Sequence, residues 1–440
     1  MPGAAGIPAP IAAPCTRSGI ALTEPASGIL DLVPVASPAP LDISRTELPP
    51  RLRPAASLGV LDITEFFGDT TGGVRTYLLE KARYVQRRPH LRQVIVVPGA
   101  RDEILEASGV RCYRLHGPSI PTQKPYRFML ATRSTGRIVA HERPALIEVG
   151  SAWCAPWLVR LATQRLELPA VWFYHSNFPR IIAPHPRTAG HGRLAASAFA
   201  WRYVRRLGRM VRATIAPCES VARELVGAGL PNVVTVPLGV DLERFTPARR
   251  ASAGATRRGL GLPENGPLGL YVGRFAGEKE LDLVLAAWPE VERRTGAKLV
   301  LVGAGPAARA LRRGPGGDQA TWLGYERDRD RLADLYGAAD LYVAPGPAET
   351  FGLSAMEALA SGVPILSVDQ GGVAEAVRRS GAGRLYAPGD RAHFTEVAVG
   401  LLQDDLGRLG ATGRRYAETH HAWERVLDRL FEVYARILDG

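Results

Sequence analysis

Two carboxylates eight positions apart, Glu349 and Glu357, stand in the stretch AETFGLSAMEALASG (348–362), with Gly352 between them. The rest of the stretch has the apolar pattern of a buried helix ending at a glycine. LYVAPG, just before it, reads as a strand, so Glu349 sits on the loop leaving that strand's carboxyl end and the helix begins near Gly352. The N–H groups of Phe351, Gly352 and Leu353 then have no partner inside the helix. Such a start can hold a phosphate or an oxygen-rich ligand. Glu357 falls about one and a half turns further on. A carboxylate accepts from pairs of hydroxyls, so the two acids could grip two polyols at once. A plainer arrangement has the same spacing, with Glu349 as a cap and Glu357 on a solvated face.

Three further signals share this position at strand ends. In YVGRFAGEKELDLVLAA, Arg274 and Lys279 follow a strand and precede a helix, where paired guanidinium donors and a point-charge ammonium can clamp a diphosphate. Lysine is rare here, with Lys81, Lys124 and Lys298 the only others, so its retention is informative; a surface Glu–Lys pair is the alternative. In FFGDTTGGVRTYLLE, Gly72 and Gly73 let backbone approach a phosphate in front of a helix, or simply make a flexible loop. In WFYHSNFPR, His175 ends an apolar strand, a position for chemistry, for a ligand hydroxyl, or for a structural histidine.

Other motifs carry less. LVGAGPAA resembles a dinucleotide fingerprint, but it lies mid-chain and Pro306 stiffens its helix start. Asp328 and Asp330 form an Asp-x-Asp that opens a charged helix, RDRDRLADLYGAAD, and read as a solvated face. No Ser-His-Asp or Cys-His arrangement is discernible.

The elements that must position these residues follow from apolar pattern. Unbroken strands (GVLDI, QVIVVPG, ALIEVG, AVWFYHS, TIAP, VVTVPLG) alternate with amphipathic helices. FTPARRASAGATRRGLGLPENGP interrupts, and the alternation restarts with LGLYVGRF, KLVLVGAG, TWLGY, LYVAPG, PILSV and GRLYAP. This is the pattern of parallel sheets covered on both faces. The expected class is α/β: two doubly wound Rossmann-like domains, an interdomain cleft as the ligand site, and a C-terminal helix. The expected boundaries are a disordered Ala/Pro-rich tail over 1–56, an N-terminal domain over 57–246 and a linker over 247–266. A C-terminal domain over 267–415 and a final helix over 416–440 complete the division.

The chain has 440 residues, 46% apolar, and a formal charge of +12 carried almost wholly by arginine. The basic excess is spread out with no aromatic-basic module, which argues against nucleic acid and suits an anionic membrane face or anionic small substrate. Cys15, Cys112, Cys154 and Cys218 have no paired spacing, which argues against a disulfide framework or zinc site and suits a reducing cytoplasm. The first residues lack a signal peptide's basic region and apolar core, so a cytoplasmic protein is expected.

Taken together, these motifs resemble the retaining glycosyltransferases of family 4, which have the GT-B fold. The resemblance runs from about Leu58 to the C-terminus. ETFGLSAMEALASGVPI is similar to the family's paired-glutamate segment, VGRFAGEK to its diphosphate segment and LVGAGP to its mid-domain loop. DQGGVAEAV, GGVRTYL, YHSNFP and VPLGVDLERFTP fit in the same order. The resemblance implies that Glu349 holds donor-sugar hydroxyls and stabilises positive charge at the anomeric carbon, while Glu357 holds the nucleotide ribose. It implies backbone contacts to sugar and phosphate from Phe351, Gly352 and Leu353, and neutralisation of the leaving diphosphate by Arg274 and Lys279. Gly73 would contact the diphosphate from the opposite domain, His175 would face donor sugar and acceptor, and Tyr325 would lie at the base. No metal and no other cofactor is implied. Glu280-Leu281 after Lys279, and Cys218 in place of a serine, depart from the commonest pattern, away from the expected chemistry.

HSNFP looks most like members that use GDP-mannose, so mannosyl transfer is expected, with a UDP-sugar donor as the rival. The expected partners are the nucleotide-sugar donor and a sugar or lipid-linked acceptor. Arg202, Arg205, Arg206, Arg209 and Arg212 stand among apolar residues of an apparent helix. That helix could lie on the inner face of a plasma membrane or be internal with a solvated arginine face. An inert sugar-nucleotide-binding module and a nicotinamide-dependent oxidoreductase are the readings outside transfer chemistry.

Overall fold

The computed structural model describes residues 33–35, 41–52, 58–68, 72–121, 126–166, 168–182 and 192–440. The first sheet holds β1 (Val33–Pro34), β2 (Leu58–Ile63), β3 (Leu91–Gly99), β4 (Glu103–Ala107), β5 (Val110–His116), β6 (Leu146–Val149), β7 (Ala170–Phe173), β8 (Ala213–Ala216) and β9 (Val233–Thr235). Its order is β1-β4-β5-β3-β2-β6-β7-β8-β9, parallel except around β4. The second holds β10 (Leu268–Val272), β11 (Lys298–Val302), β12 (Thr321–Leu323), β13 (Leu341–Ala344), β14 (Ile365–Val368) and β15 (Gly383–Tyr386). It is parallel throughout, in the order β12-β11-β10-β13-β14-β15. Helices connect the parallel strands except β3 and β5, which β4 joins. Away from the edge strands β1, β9, β12 and β15 the strand interiors are largely buried, which is why the sequence reads as apolar runs rather than alternation.

Both sheets reverse their winding at one place. The chain moves outward from β2 to β3 and β5, then returns to β6 beside β2; in the second sheet the return is β13 beside β10. Ligands of such sheets bind outside the strand carboxyl ends at that reversal. Arg274 and Lys279 follow β10 and Glu349 follows β13, so the fold brings them to the two sides of one crevice.

Three segments differ from the pattern reading. β4 and β5 form a hairpin, turning at Gly109 (φ 74°), that the apolar pattern does not reveal. Arg111 breaks the pattern, yet it is buried because Glu142, at 2.6 Å, and Glu106, at 2.7 Å, pair with it. Within 1–56, expected to be disordered, the described residues pack: Val33–Pro34 pairs with β4, and Ile43 is fully buried with its N–H on Asp102 at 2.8 Å. The 247–266 stretch, expected as a linker, includes a 3-10 turn (Pro247–Ser252) and a helix (Ala253–Gly259) docked on the second domain. Its arginines do the docking: Arg257 binds the Ala338 carbonyl and the Asp340 carboxylate, each at 2.7 Å, and Arg250 pairs with Asp340. Cys15 lies outside the described residues.

The chain end is two helices, Leu406–His420 and Trp423–Asp439, broken at His421 where the chain crosses back to the first domain. The last helix locks there through a buried polar network. Lys81 donates to Asp62 at 2.6 Å and to the Tyr434 hydroxyl at 2.8 Å, with Glu148 at 3.5 Å. Tyr434 donates to Glu148, as does Tyr77. Burial pushes the Glu148 carboxyl upward, with Lys81 opposing it. Among the described residues no helix is long and apolar enough to cross a membrane.

Candidate active site

Glu349 and Lys279 are in direct contact, the ammonium donating to Oε1. Both side chains remain partly exposed at the crevice. The Lys279 loop is set from behind by glycines. A Cβ on Gly303 would lie 1.9 Å from the Gly273 carbonyl, and one on Gly305 would lie 2.2 Å from that of Phe275. LVGAGP therefore buttresses the Arg274–Lys279 loop by close backbone approach. Arg274 is turned to Glu278 on its own loop, at 2.8 Å. Burial raises the Glu278 carboxyl, but the Arg274 hydrogen bond and charge outweigh it and hold it low.

Gly352 caps the helix Leu353–Ala360 with φ +82°, a left-handed conformation, and a Cβ there would meet Val373 Cγ2 at 2.2 Å. That answers why a glycine separates the two acids: it turns the chain from the Glu349 loop into the helix where no side chain fits. Gly371 and Gly372 of DQGGVAEAV pack against this loop's backbone, and Gly372 N–H donates to the Glu349 carbonyl at 2.8 Å. Phe351 is buried edge-on against His421, with centroids 5.4 Å apart.

Glu357 is inside the helix start and only 3% exposed. Its Oε1 accepts from Arg329 at 2.8 Å and its Oε2 from the Tyr336 hydroxyl at 3.1 Å. Glu357 is therefore not on a solvated face, and Glu349 is not the cap of this helix, whose N-cap is Gly352 with no side-chain cap hydrogen bond. Tyr325, on the loop before Arg329, is exposed, and Arg75 of the first domain and Arg329 lie near enough to act on it electrostatically.

The first domain closes over this crevice. A methyl group on Gly73 would touch Leu353 Cδ2 at 3.9 Å. Thr350 Oγ1 donates to the His175 carbonyl at 2.8 Å, and Arg180 to the Pro347 carbonyl at 3.1 Å. Cys218, expected to lie apart, donates to the Thr350 carbonyl at 3.2 Å. Glu375 accepts the N–H groups of Glu219 and Ser220.

The His175 ring stacks on Phe173, 4.2 Å between centroids, and tilts against Tyr77 at 5.0 Å. Its Nε2 is enclosed and has no protein hydrogen-bond partner. Burial, with the Lys81 charge behind it, pushes the imidazole down to about 3, so the ring is neutral at ordinary pH. Such a ring can exchange a hydrogen bond with a hydroxyl, but it does not carry a proton into the site.

The structure thus brings Gly73, His175, Lys279, Glu349, Phe351, Gly352, Leu353 and Glu357 around one crevice, with Arg274 on its edge and Tyr325 toward its rim. Sequence reading missed Arg329, Tyr336 and Thr350. Thr350 is flagged only by adjacency to Glu349, and Arg329 is hidden in the RDRDR run. The Asp-x-Asp in that run is structural: Asp328 caps the helix Arg329–Ala338, and Asp330 pairs with Arg249 at 2.6 Å.

Residues 71–244 match the family Glycosyltransferase Family 4, and residues 266–404 match Glycosyl transferases group 1. A GDP-mannose-dependent alpha-mannosyltransferase of Mycobacterium tuberculosis is 29% identical over 85% of this chain and 96% of its own. From the same organism, a GDP-mannose-dependent alpha-(1-6)-phosphatidylinositol dimannoside mannosyltransferase is 30% identical over 83% and 93%. Among solved structures, sucrose-phosphate synthase from Thermosynechococcus elongatus superposes with a TM-score of 0.72 at 21% identity, over 87% of this chain and 99% of that one. That likeness fixes the fold as GT-B. The chain is a glycosyltransferase and belongs to glycosyltransferase family 4.

Proposed function

We propose that the protein is a retaining α-mannosyltransferase that moves mannose from GDP-mannose to a hydroxyl of a lipid-linked or polysaccharide acceptor. The observation that carries this reading is the Lys279–Glu349 contact at the sheet reversal, facing Gly73 and His175 across the crevice. The donor is supported by the two mannosyltransferase relatives and by HSNFP.

Sugar transfer builds positive charge at the anomeric carbon and negative charge on the departing phosphate. Groups prearranged for both charges lower the barrier without reorganising. An arriving diphosphate competes with Glu349 for Lys279, which frees the carboxylate for the sugar hydroxyls. Arg274 swings from Glu278 to the same phosphates. Once the groups enclosing Nε2 give way to the substrates, neutral His175 hydrogen-bonds a sugar or acceptor hydroxyl through it. The acceptor attacks from the face the phosphate leaves, and the phosphate takes its proton, so no residue serves as covalent nucleophile. Trapping a glycosyl-enzyme intermediate would refute that step. The two cations do the neutralising, so turnover is expected to survive EDTA.

Lipid delivery is supported by the helix Gly192–Gly208. Its Ala200, Val204 and Leu207 are buried, whereas Phe199, Arg202 and Arg206 face outward, with Arg209 just beyond. An apolar side chain among cations suits the surface of an anionic membrane. Changing Arg202, Arg206 and Arg209 to glutamate is expected to abolish sedimentation with anionic vesicles; retained sedimentation contradicts the membrane role. The test of the reaction itself is nucleotide release from GDP-mannose, with loss of release in Glu349→Ala.

A further inference from the structure

Resting on the reading of Glu357 as the ribose carboxylate, we infer that Arg329, carried on the ring of Phe245, is a positioning residue that sets discrimination between ribose and deoxyribose. Three side chains, Arg329, Phe245 and Tyr336, close a ring with this carboxylate. Arg329 Nη2 donates to Glu357 Oε1 at 2.8 Å, and the Arg329 guanidinium carbon lies 4.9 Å from the Phe245 ring centroid. Phe245 meets Tyr336 edge-on, with centroids 5.5 Å apart at 87°. The Tyr336 hydroxyl lies 3.1 Å from Glu357 Oε2 and 3.0 Å from the Ser354 carbonyl. Phe245 is fully buried, so the platform under the guanidinium is fixed.

A carboxylate has about four lone-pair sites. Arg329 and Tyr336 take one on each oxygen, which leaves one on each oxygen for a vicinal pair of hydroxyls. A buried carboxylate is costly to keep ionised without a paired cation. Arg329 supplies that cation, and an ionised carboxylate only accepts. It therefore binds hydroxyl donors, and a sugar missing one leaves a buried acceptor unsatisfied. Arginine suits the position because its planar fork stacks on an aromatic face while donating edge-on, which an ammonium cannot do. The platform comes from VDLERFTP, the segment before the domain crossing, whose Asp241 adds its charge to the same guanidinium. This gives that motif a function at the nucleotide.

The experiment is calorimetric titration of the full chain with GDP and 2′-deoxy-GDP, and with UDP and 2′-deoxy-UDP as a second pair. Wild type is expected to prefer the ribonucleotide roughly 10- to 100-fold, the worth of one hydrogen bond to a charged group. Arg329→Met is expected to collapse that ratio to within about threefold, chiefly by weakening the ribonucleotide. Arg329→Lys restores part of it, and Phe245→Leu falls between. Equal weakening of both nucleotides by Arg329→Met, with the ratio intact, overturns the inference and assigns Arg329 to phosphate or base. Should Arg329→Met lose its native circular dichroism, Arg329→Lys decides alone, and an unchanged ratio overturns it. A wild type that binds ribo- and deoxyribonucleotide equally, or neither pair, refutes the ribose reading of Glu357 itself, an outcome visible before any Arg329 variant is made.

Discussion

The Lys279 ammonium and the Glu349 carboxylate, from loops following β10 and β13, touch across the point where the second sheet reverses. On the proposed reading, the group for the phosphate and the group for the sugar hold each other until a donor separates them. Residues that act as such a unit are not additive. Lys279→Ala and Glu349→Ala are each expected to lower kcat for donor turnover about 100- to 1,000-fold. The double variant should lose far less than the product of the two, and fully multiplicative losses in a steady-state comparison would contradict the coupling.

Gly352 tests the geometry of the turn rather than its charges. Alanine there must adopt φ +82° and meet Val373, so Gly352→Ala is expected to cost about 1–3 kcal/mol of stability. It should also impair turnover by moving the Glu349 loop. Urea unfolding gives the first quantity, and a variant as stable as wild type would contradict the fit.

His175 and His421 are pushed below the usual histidine value by burial, to about 3 and about 4. Between pH 6.5 and these values the unfolded chain binds protons that the folded chain refuses. Their contribution to stability is therefore complete above about pH 6.5 and lost progressively as pH falls below it. Replacing His175 with glutamine should flatten the fall of Tm between pH 6.5 and 4. Turnover should show no limb near pH 6.5 from His175 protonation, and a Tm slope unchanged in the variant would contradict its buried neutral state.

Lys81 is the cation at the centre of the network that fastens the last helix to the first domain. Lys81→Met strands Asp62 and Glu148 in the interior and is expected to cost about 3–5 kcal/mol. Tyr434→Phe removes one donor to Glu148 and should cost about 1–3 kcal/mol. Denaturant titration ranks the two, and a Tyr434→Phe variant more damaged than Lys81→Met would contradict the network.

How far the sequence reveals this molecule depends on how local each signal is. The two wound sheets are legible because fully buried strands write themselves as unbroken apolar runs such as QVIVVPG. The β4–β5 hairpin is not, because Arg111 occupies an interior position made tolerable by Glu106 across the hairpin and by Glu142 on a distant helix. Glu349 and Lys279 stand out as charged types on loops that leave strand ends, and Gly73 as a glycine opening a helix. Arg329 reads as one more charge in RDRDR, since what draws it inward is a carboxylate two elements later and a phenyl ring from before the domain crossing. The Nε2 of His175 belongs to the same class: chain position suggests it, but its burial beside Phe173 and Tyr77, with the Lys81 charge behind it, is what keeps the ring neutral.

The central claim is tested most directly by nucleotide release from purified protein given GDP-mannose or UDP-glucose, with and without bacterial lipid extract. The account predicts GDP release from GDP-mannose, accelerated by lipid and lowered about 100- to 1,000-fold in Lys279→Ala and Glu349→Ala. UDP release from UDP-glucose with no response to GDP-mannose would contradict the donor assignment. Tight nucleotide binding with no release from either sugar, lipid present, would contradict mannosyl transfer to a lipid-linked acceptor.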